Sequence, residues 1–299
     1  MHLRDFDARR RVVTTPAGDV SYVDTGTDAD DGSVALFVHG VGVNSYLWAD
    51  VIERVAGERR CVALDLPLHG ATPARDDQYF SLIALARFVG TFCDTLGLER
   101  VDLVANDTGG AIAQILATLS PGRVRTLTLT NCDTHDNIPP EAFAPTVELA
   151  RAGALAPTAP ALLADLETAR TALLGSALED PDAVPLEVVA SFLEPVAGTL
   201  ERARQFERLL VALRPDDLLA VEPELRQLHV PTLVVWGTGD VMFDVSWAYW
   251  LRDTIPGVTE VVELDGARLF FPLERPDALA AHLRRHWADV HTIAAPRAG

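Results

Sequence analysis

One segment constrains the fold more than any other: residues 101–119, VDLVANDTGGAIAQILATL. Its first half is apolar and β-branched, the pattern of a strand buried on both faces, and its second half reads as a helix. Only Ala105-Asn106-Asp107-Thr108-Gly109-Gly110 lies between them. Turning strand into helix so quickly forces strained backbone geometry on the central residue. Its neighbours must be tiny, because the two backbones nearly touch. Ala105, Gly109 and Gly110 meet that demand. The side chain of Asp107 is then lifted to the carboxyl edge of a sheet, above a helix N-terminus that stabilises negative charge. A plainer alternative makes Asp107 a helix cap, a place that suits aspartate.

The rest of the chain extends this pattern. Strands are predicted at Val20–Asp24, Val34–Val38, Cys61–Asp65, Val101–Asn106, Val124–Thr130, Thr232–Trp236 and Glu260–Leu264. Helical patterns fall between them at Tyr46–Ala56, Phe80–Leu96, Gly109–Leu119, Trp247–Thr254 and Pro276–Trp287. Alternation of this kind implies right-handed crossovers and an α/β fold with a mostly parallel central sheet flanked by helices. It stops between Asn137 and Leu228, a stretch rich in Ala and Leu and broken by prolines such as Pro157, Pro181 and Pro215. Short proline-broken helices between two strands predict an inserted helical cap, residues 137–228, on a core made of 1–136 and 229–299. The alternative is a free-standing helical domain, which the clean return of strand patterns at Pro231 disfavours. The Ala/Pro-rich tail from about Val290 is expected to be disordered.

At 299 residues the chain suits one core plus one lid. It has no lysine and a formal net charge of -18, a field that repels phosphate backbones and anionic bilayers. Neither nucleic acid nor membrane is therefore an expected partner; the charge says little about a small neutral molecule, and a small-molecule substrate is the expected partner. Cys61, Cys93 and Cys132 are odd in number and not spaced as metal ligands; Cys61 and Cys93 read as buried hydrophobes in a reducing compartment. No signal-peptide core or membrane-length apolar run is present, so the expectation is a cytoplasmic monomer or homodimer. No metal or cofactor is called for.

The elbow resembles that of the α/β-hydrolase superfamily, whose G-x-S-x-G carries Ser where this chain carries Asp107. Within it, the chain is similar to the Asp-nucleophile branch of haloalkane dehalogenases and epoxide hydrolases. HGVGVNSYLW after the strand at Val34–Val38 resembles the His-Gly oxyanion loop and the helix start bearing Trp48. DLPLHGATP at Asp65–Pro73, WGTGD at Trp236–Asp240 and LERPDALAAHL near the C-terminus match further family segments in order. The resemblance implies a nucleophilic Asp107, an acid at Asp240 or Asp133, and an anion hole from the backbone N–H groups of Val41 and Thr108. It places Gly40, Asn106, Trp48, Arg268, Leu269 and Phe270 around the substrate pocket, and makes His39 and His69 loop-ordering residues.

The same resemblance implies residues that are missing. The dehalogenases hold halide with a Trp after the nucleophile and an Asn or Trp elsewhere; this chain has Thr108 there, and Val41 follows His39-Gly40. Epoxide hydrolases use cap tyrosines, and Tyr22, Tyr46, Tyr79 and Tyr249 all lie outside the cap. The family's catalytic histidine falls on Leu269, with register set by Gly266 on one side and Glu274 and Pro276 on the other. Losing that base removes a contribution of ~10²–10⁴-fold from ester hydrolysis. Three remedies follow. His135, flanked by Asp133 and Asp136, substitutes as base unless it is a loop residue that fastens the cap; Arg268 pairs with Asp240 or Asp107 unless it points to solvent; or Asp107 acts without forming a bond, as acid, base or acceptor in a pocket that Phe270 and Phe271 would suit if they are not ordinary core aromatics. The first gives a hydrolase, the last a lyase, isomerase or cyclase. A non-catalytic ligand-binding protein on the same scaffold is the reading from another class. His229, His282, His286 and His291 are expected at the surface, outside the site.

Overall fold

The computed structural model describes residues 1–26 and 33–294. Eight strands form one sheet: β1 (Arg10–Thr15), β2 (Gly18–Asp24), β3 (Val34–Val38), β4 (Arg60–Leu64), β5 (Val101–Asp107), β6 (Val124–Cys132), β7 (Thr232–Gly237) and β8 (Val258–Leu264). Their spatial order is β1-β2-β4-β3-β5-β6-β7-β8. From β4 through β8 the pairings are parallel; β1 and β2 add an antiparallel edge. This is the α/β-hydrolase fold. Every residue of β3 and β5 is buried, as apolar central strands covered on both faces must be. The sequence reading missed β1: its arginine-rich RRVVTT pairs on one side only and stays largely outside the core.

Parallel order puts the loops after β3, β5, β6, β7 and β8 on one edge of the sheet, where α/β folds collect their sites. The connection from β6 to β7 is a helical insertion over that edge. It runs from Ala144–Arg151 through Leu186–Ala197 and Leu200–Ala212 to Asp216–Leu225, with no strand among the described residues. The last helix, Pro276–Ala294, runs beyond the expected start of the disordered tail at Val290, and residues 295–299 lie outside the described residues. His286 on that helix is buried rather than at the surface, because the helix packs against the core; the side chain of His291 lies outside the described residues.

Candidate active site

Asp107 ends β5 with φ 57° and ψ −137°, a left-handed backbone that an aspartate adopts only under compulsion. The following helix, Thr108–Leu119, starts at once and takes no side-chain capping bond from Asp107, so the capping alternative does not hold. The small neighbours are needed for contact. A Cβ on Gly109 would meet the carbonyls of Val38 and His39, one on Gly110 would meet Cys132, and one on Gly40 would strike the Asp107 carboxylate. Strand β3 and the elbow thus close on each other, with Asp107 between them.

The Val41 N–H donates to Asp107 Oδ2 at 2.8 Å. Burial pushes the Asp107 carboxyl up to about 7, with the Asp240 charge adding to the rise and the backbone N–H groups of Val41 and Thr108 opposing it. The loop after β6 brings a second carboxyl. Asp133 is buried, its Oδ2 accepts from the Thr108 hydroxyl at 2.8 Å, and its Oδ1 is buried without a protein partner. Gln114 on the elbow helix fixes that loop by donating to the Asp133 carbonyl at 2.9 Å. Burial, and then the neighbouring Asp107 charge, hold the Asp133 carboxyl well above the ordinary carboxylate range. A third carboxyl, Asp240 after β7, accepts from Asn131 Nδ2 at 2.7 Å and from the Met242 N–H at 2.8 Å. Burial raises it to about 6.

Asp107, Asp133, Val41 and Thr108 open onto one cavity, whose remaining wall is apolar and includes Leu269, Phe270, Met242, Phe243, Phe143 and Leu173. Among the described residues that line it there is no histidine, arginine or lysine. The sequence reading anticipated Val41, Thr108, Leu269 and Phe270 at this wall. It did not anticipate Phe143, Leu173, Met242 or Phe243, which come from the insertion and the β7 loop, nor the Thr108 hydroxyl as the partner of Asp133.

The structure places the other expected residues elsewhere. His135, with φ 54°, stacks on Trp250 at 4.9 Å between ring centroids, and its Nδ1 lies 2.8 Å from Glu222 Oε2 on the last insertion helix. It fastens core to insertion and is not in the cavity wall, because the left-handed turn at 135 and a partner carboxylate hold the ring there. Arg268 forms no direct salt bridge with Asp107 or Asp240, although its charge opposes the rise at Asp240: its Nη1 donates to the carbonyls of Gly175 and Leu178 at 2.9 and 3.0 Å. The Phe270 N–H donates to the Ala177 carbonyl at 2.9 Å, completing a seam between the β8 loop and the insertion. Asn106 is no pocket residue. Its Nδ2 donates to the Thr130 hydroxyl and to the Leu269 carbonyl, both at 3.0 Å, tying β5 to β6 and setting Leu269 at the wall. Trp48 is fully buried beside Phe37, in the core. Gly40 acts through its missing side chain, as above.

His39 and His69 order loops. The His39 ring contacts the Gly40 carbonyl through Nδ1 at 2.7 Å and accepts from the Leu66 N–H through Nε2 at 3.0 Å. His69 Nε2 accepts from the Gly42 N–H at 3.2 Å, and burial lowers its pKa to about 3, so the ring is neutral. Both imidazoles have their nitrogens engaged in tying the loop after β3 to the loop after β4.

Residues 35–274 match the profile of the alpha/beta hydrolase fold. The chain belongs to that family. This α/β hydrolase is similar to "Haloalkane dehalogenase 2" of Mycobacterium tuberculosis, 29% identical over 283 residues that cover 93% of this chain and 92% of that protein. A haloalkane dehalogenase of Mesorhizobium japonicum is 37% identical over 107 residues, covering 35% of this chain and 33% of that one. Among solved structures, haloalkane dehalogenase DbeA from Bradyrhizobium elkani superposes with a TM-score of 0.80 at 21% identity, covering 95% of this chain and 99% of its own, a likeness of fold alone. The relatives make this chain an enzyme of the hydrolase class, haloalkane dehalogenase-like. No described helix is long and apolar enough to cross a membrane.

Proposed function

We propose that this α/β hydrolase acts on a small apolar substrate with an oxygen leaving group, of the epoxide kind, with Asp107 as nucleophile and Asp133 as the group that gives and takes the proton. The helical insertion, residues 137–228, serves as the cap that keeps water from the site. The observation that carries the reading is the free oxygen of Asp133. One of its oxygens is held by Thr108, the other is buried and unpartnered, and the residue stands with Asp107 at the wall of a cavity with no nitrogen base. With the family's histidine position filled by Leu269, a second carboxyl is the remaining proton carrier. Two carboxyls whose environments separate their affinities for protons divide acid and nucleophile roles between them.

The chemistry balances. With its Oδ2 on the Val41 N–H, Asp107 attacks carbon through Oδ1; the carbon–oxygen bond of the substrate breaks and the departing oxygen takes the proton of neutral Asp133. Asp133, now ionised, accepts a proton from water as the water oxygen adds to the ester carbonyl. The Val41 and Thr108 N–H groups hold the resulting oxyanion. Collapse breaks the ester bond, the product oxygen takes the proton of the Asp107 carboxyl, and both aspartates return to their starting states. Acid becoming base between two half-reactions is the logic of retaining glycosidases. A halide needs no proton on leaving and does need donors to receive it; the positions that supply them in dehalogenases are Thr108 and Val41 here. The relatives' names favour halide displacement as the second reading.

The test uses a panel of epoxides, 1-bromoalkanes and activated esters, read by product formation and intact protein mass. Epoxide turnover is expected, lost in Asp107→Asn and reduced ~10²–10⁴-fold in Asp133→Asn, the usual contribution of a general acid or base. In a single turnover in heavy-oxygen water the new product oxygen derives from Asp107 and is unlabelled. Labelled product, or wild-type rates in Asp133→Asn, overturns the mechanism. Turnover of bromoalkanes alone establishes the second reading. Isomerised product with no added oxygen would make the enzyme non-hydrolytic, and binding without adduct or turnover would make it a binding protein.

A further inference from the structure

A second chamber adjoins the first. It shares Val41, Phe143, Leu173 and Met242 with the carboxylate cavity and extends among the helices of the insertion. At about 250 Å³ it is nearly three times the inner cavity of about 90 Å³. Its space comes from alanines: Ala159, Ala172, Ala197 and Ala203 stand where larger side chains would fill it. Ala159, Ala197 and Ala203 are buried, on or beside the helices Leu186–Ala197 and Leu200–Ala212, whereas Ala172 and Leu173 are exposed. Among the described residues that line it, Thr146 and Ser176 are the only hydroxyl side chains and none is charged. Packed interiors leave few voids larger than a water molecule, so a chamber of this size between helices is space for a ligand. A charged or strongly polar group placed there would lose its water with no partner in exchange.

We infer that the substrate is an extended molecule whose reacting end fits the inner cavity beside Asp107 and whose uncharged, unbranched hydrocarbon tail lies in the alanine-lined chamber, past the residues that the two spaces share, Val41, Phe143, Leu173 and Met242. The inference deepens the reading of Asp107 as the reactive group, since it takes the Asp107 end as the end where chemistry occurs. Chain length is then selected by the alanines, and the compact inner cavity excludes branching next to the reacting carbon.

Linear 1-alkanols from butanol to dodecanol test this as binding probes, measured by calorimetry on the whole protein. Affinity is expected to rise about fourfold per methylene, the value of burying one CH₂, and to level off once the chamber is full. Ala203→Leu, which fills the chamber from a buried wall, moves the levelling point to shorter chains; Ala172→Trp, at an exposed position and so without demand on the core, fills it from the exposed wall and weakens the long alkanols at least tenfold. Affinity that levels off at the shortest chains in the wild type, or a chain-length profile identical in the wild type and the folded Ala172→Trp protein, overturns the inference. Asp107→Asn separates the two claims. A chain-length series that persists while no chemistry maps to Asp107 sinks the nucleophile and keeps the tail chamber; chemistry at Asp107 with no dependence on length does the reverse.

Discussion

A carboxyl raised to about 7 is a nucleophile only when it has lost its proton, so the rate of Asp107 alkylation is expected to climb as pH rises through about 7 and then level. A rate already flat from pH 5 upward would show that Asp107 ionises like an exposed aspartate. The Thr108 hydroxyl is the donor on Asp133 Oδ2, so Thr108→Val leaves that oxygen bare and raises further the affinity of Asp133 for its proton. The expected result is slower alkylation, because Asp133 then gives its proton to the departing oxygen less readily, with less alkylated enzyme in intact mass spectra. An unchanged steady-state population of adduct would separate Thr108 from the proton step. These two residues also mark what the sequence reveals at this scale. The identity of Asp107 was legible because the elbow's demands are local: a strand, a helix and tiny residues within one segment. The partnership of Thr108 with Asp133 was not, because it depends on how far the 131–137 loop leans toward the elbow, and Gln114 decides that through a main-chain bond no pattern announces.

Among elements, the loops on the sheet edge carry the tightest tolerances. Gly40→Ala would drive a methyl into the Asp107 carboxylate while leaving the sheet itself intact. The expected outcome is a folded protein, with an unchanged far-ultraviolet dichroism spectrum, that forms no adduct at Asp107; adduct at the wild-type rate would mean the loop gives way freely. Arg268→Leu frees two carbonyls of the insertion from their donor, at ~1–3 kcal/mol for polar groups left unpaired. Hydrogen exchange is expected to quicken around residues 175–178 before it quickens in β5. Seven of the eight strands were read from periodicity, and their edges moved by at most two residues. β1 escaped because an edge strand built on arginines has no apolar signature. His135 stayed open between base and cap fastener for a comparable reason: Glu222, which holds it, is brought close by an insertion helix whose packing no local pattern predicts. The outward turn of Arg268 has the same origin, its partners being main-chain carbonyls rather than any recognisable side chain.

For the molecule as a whole, buried carboxyls make stability depend on pH in a defined sense. Asp107 and Asp240 bind protons more tightly folded than unfolded, so their contribution is full below the ordinary carboxylate range and is lost as pH rises through about 6 and about 7. The melting temperature is therefore expected to fall between pH 5 and pH 8, and to fall less in Asp107→Asn. A net charge of -18 adds self-repulsion, which salt screens, so added sodium chloride at neutral pH is expected to raise the melting temperature of wild type and variant alike. A melting temperature insensitive to salt would show that the excess carboxylates lie too far apart to repel one another appreciably. The seam formed by Arg268 and Phe270 bears on anyone who would re-engineer the enzyme. Because the ceiling over the carboxylates is hung from a loop some ninety residues further along the chain, an insertion transplanted from a relative arrives without its hook. Chimeras will keep their geometry only when the segment after β8 travels with the donor.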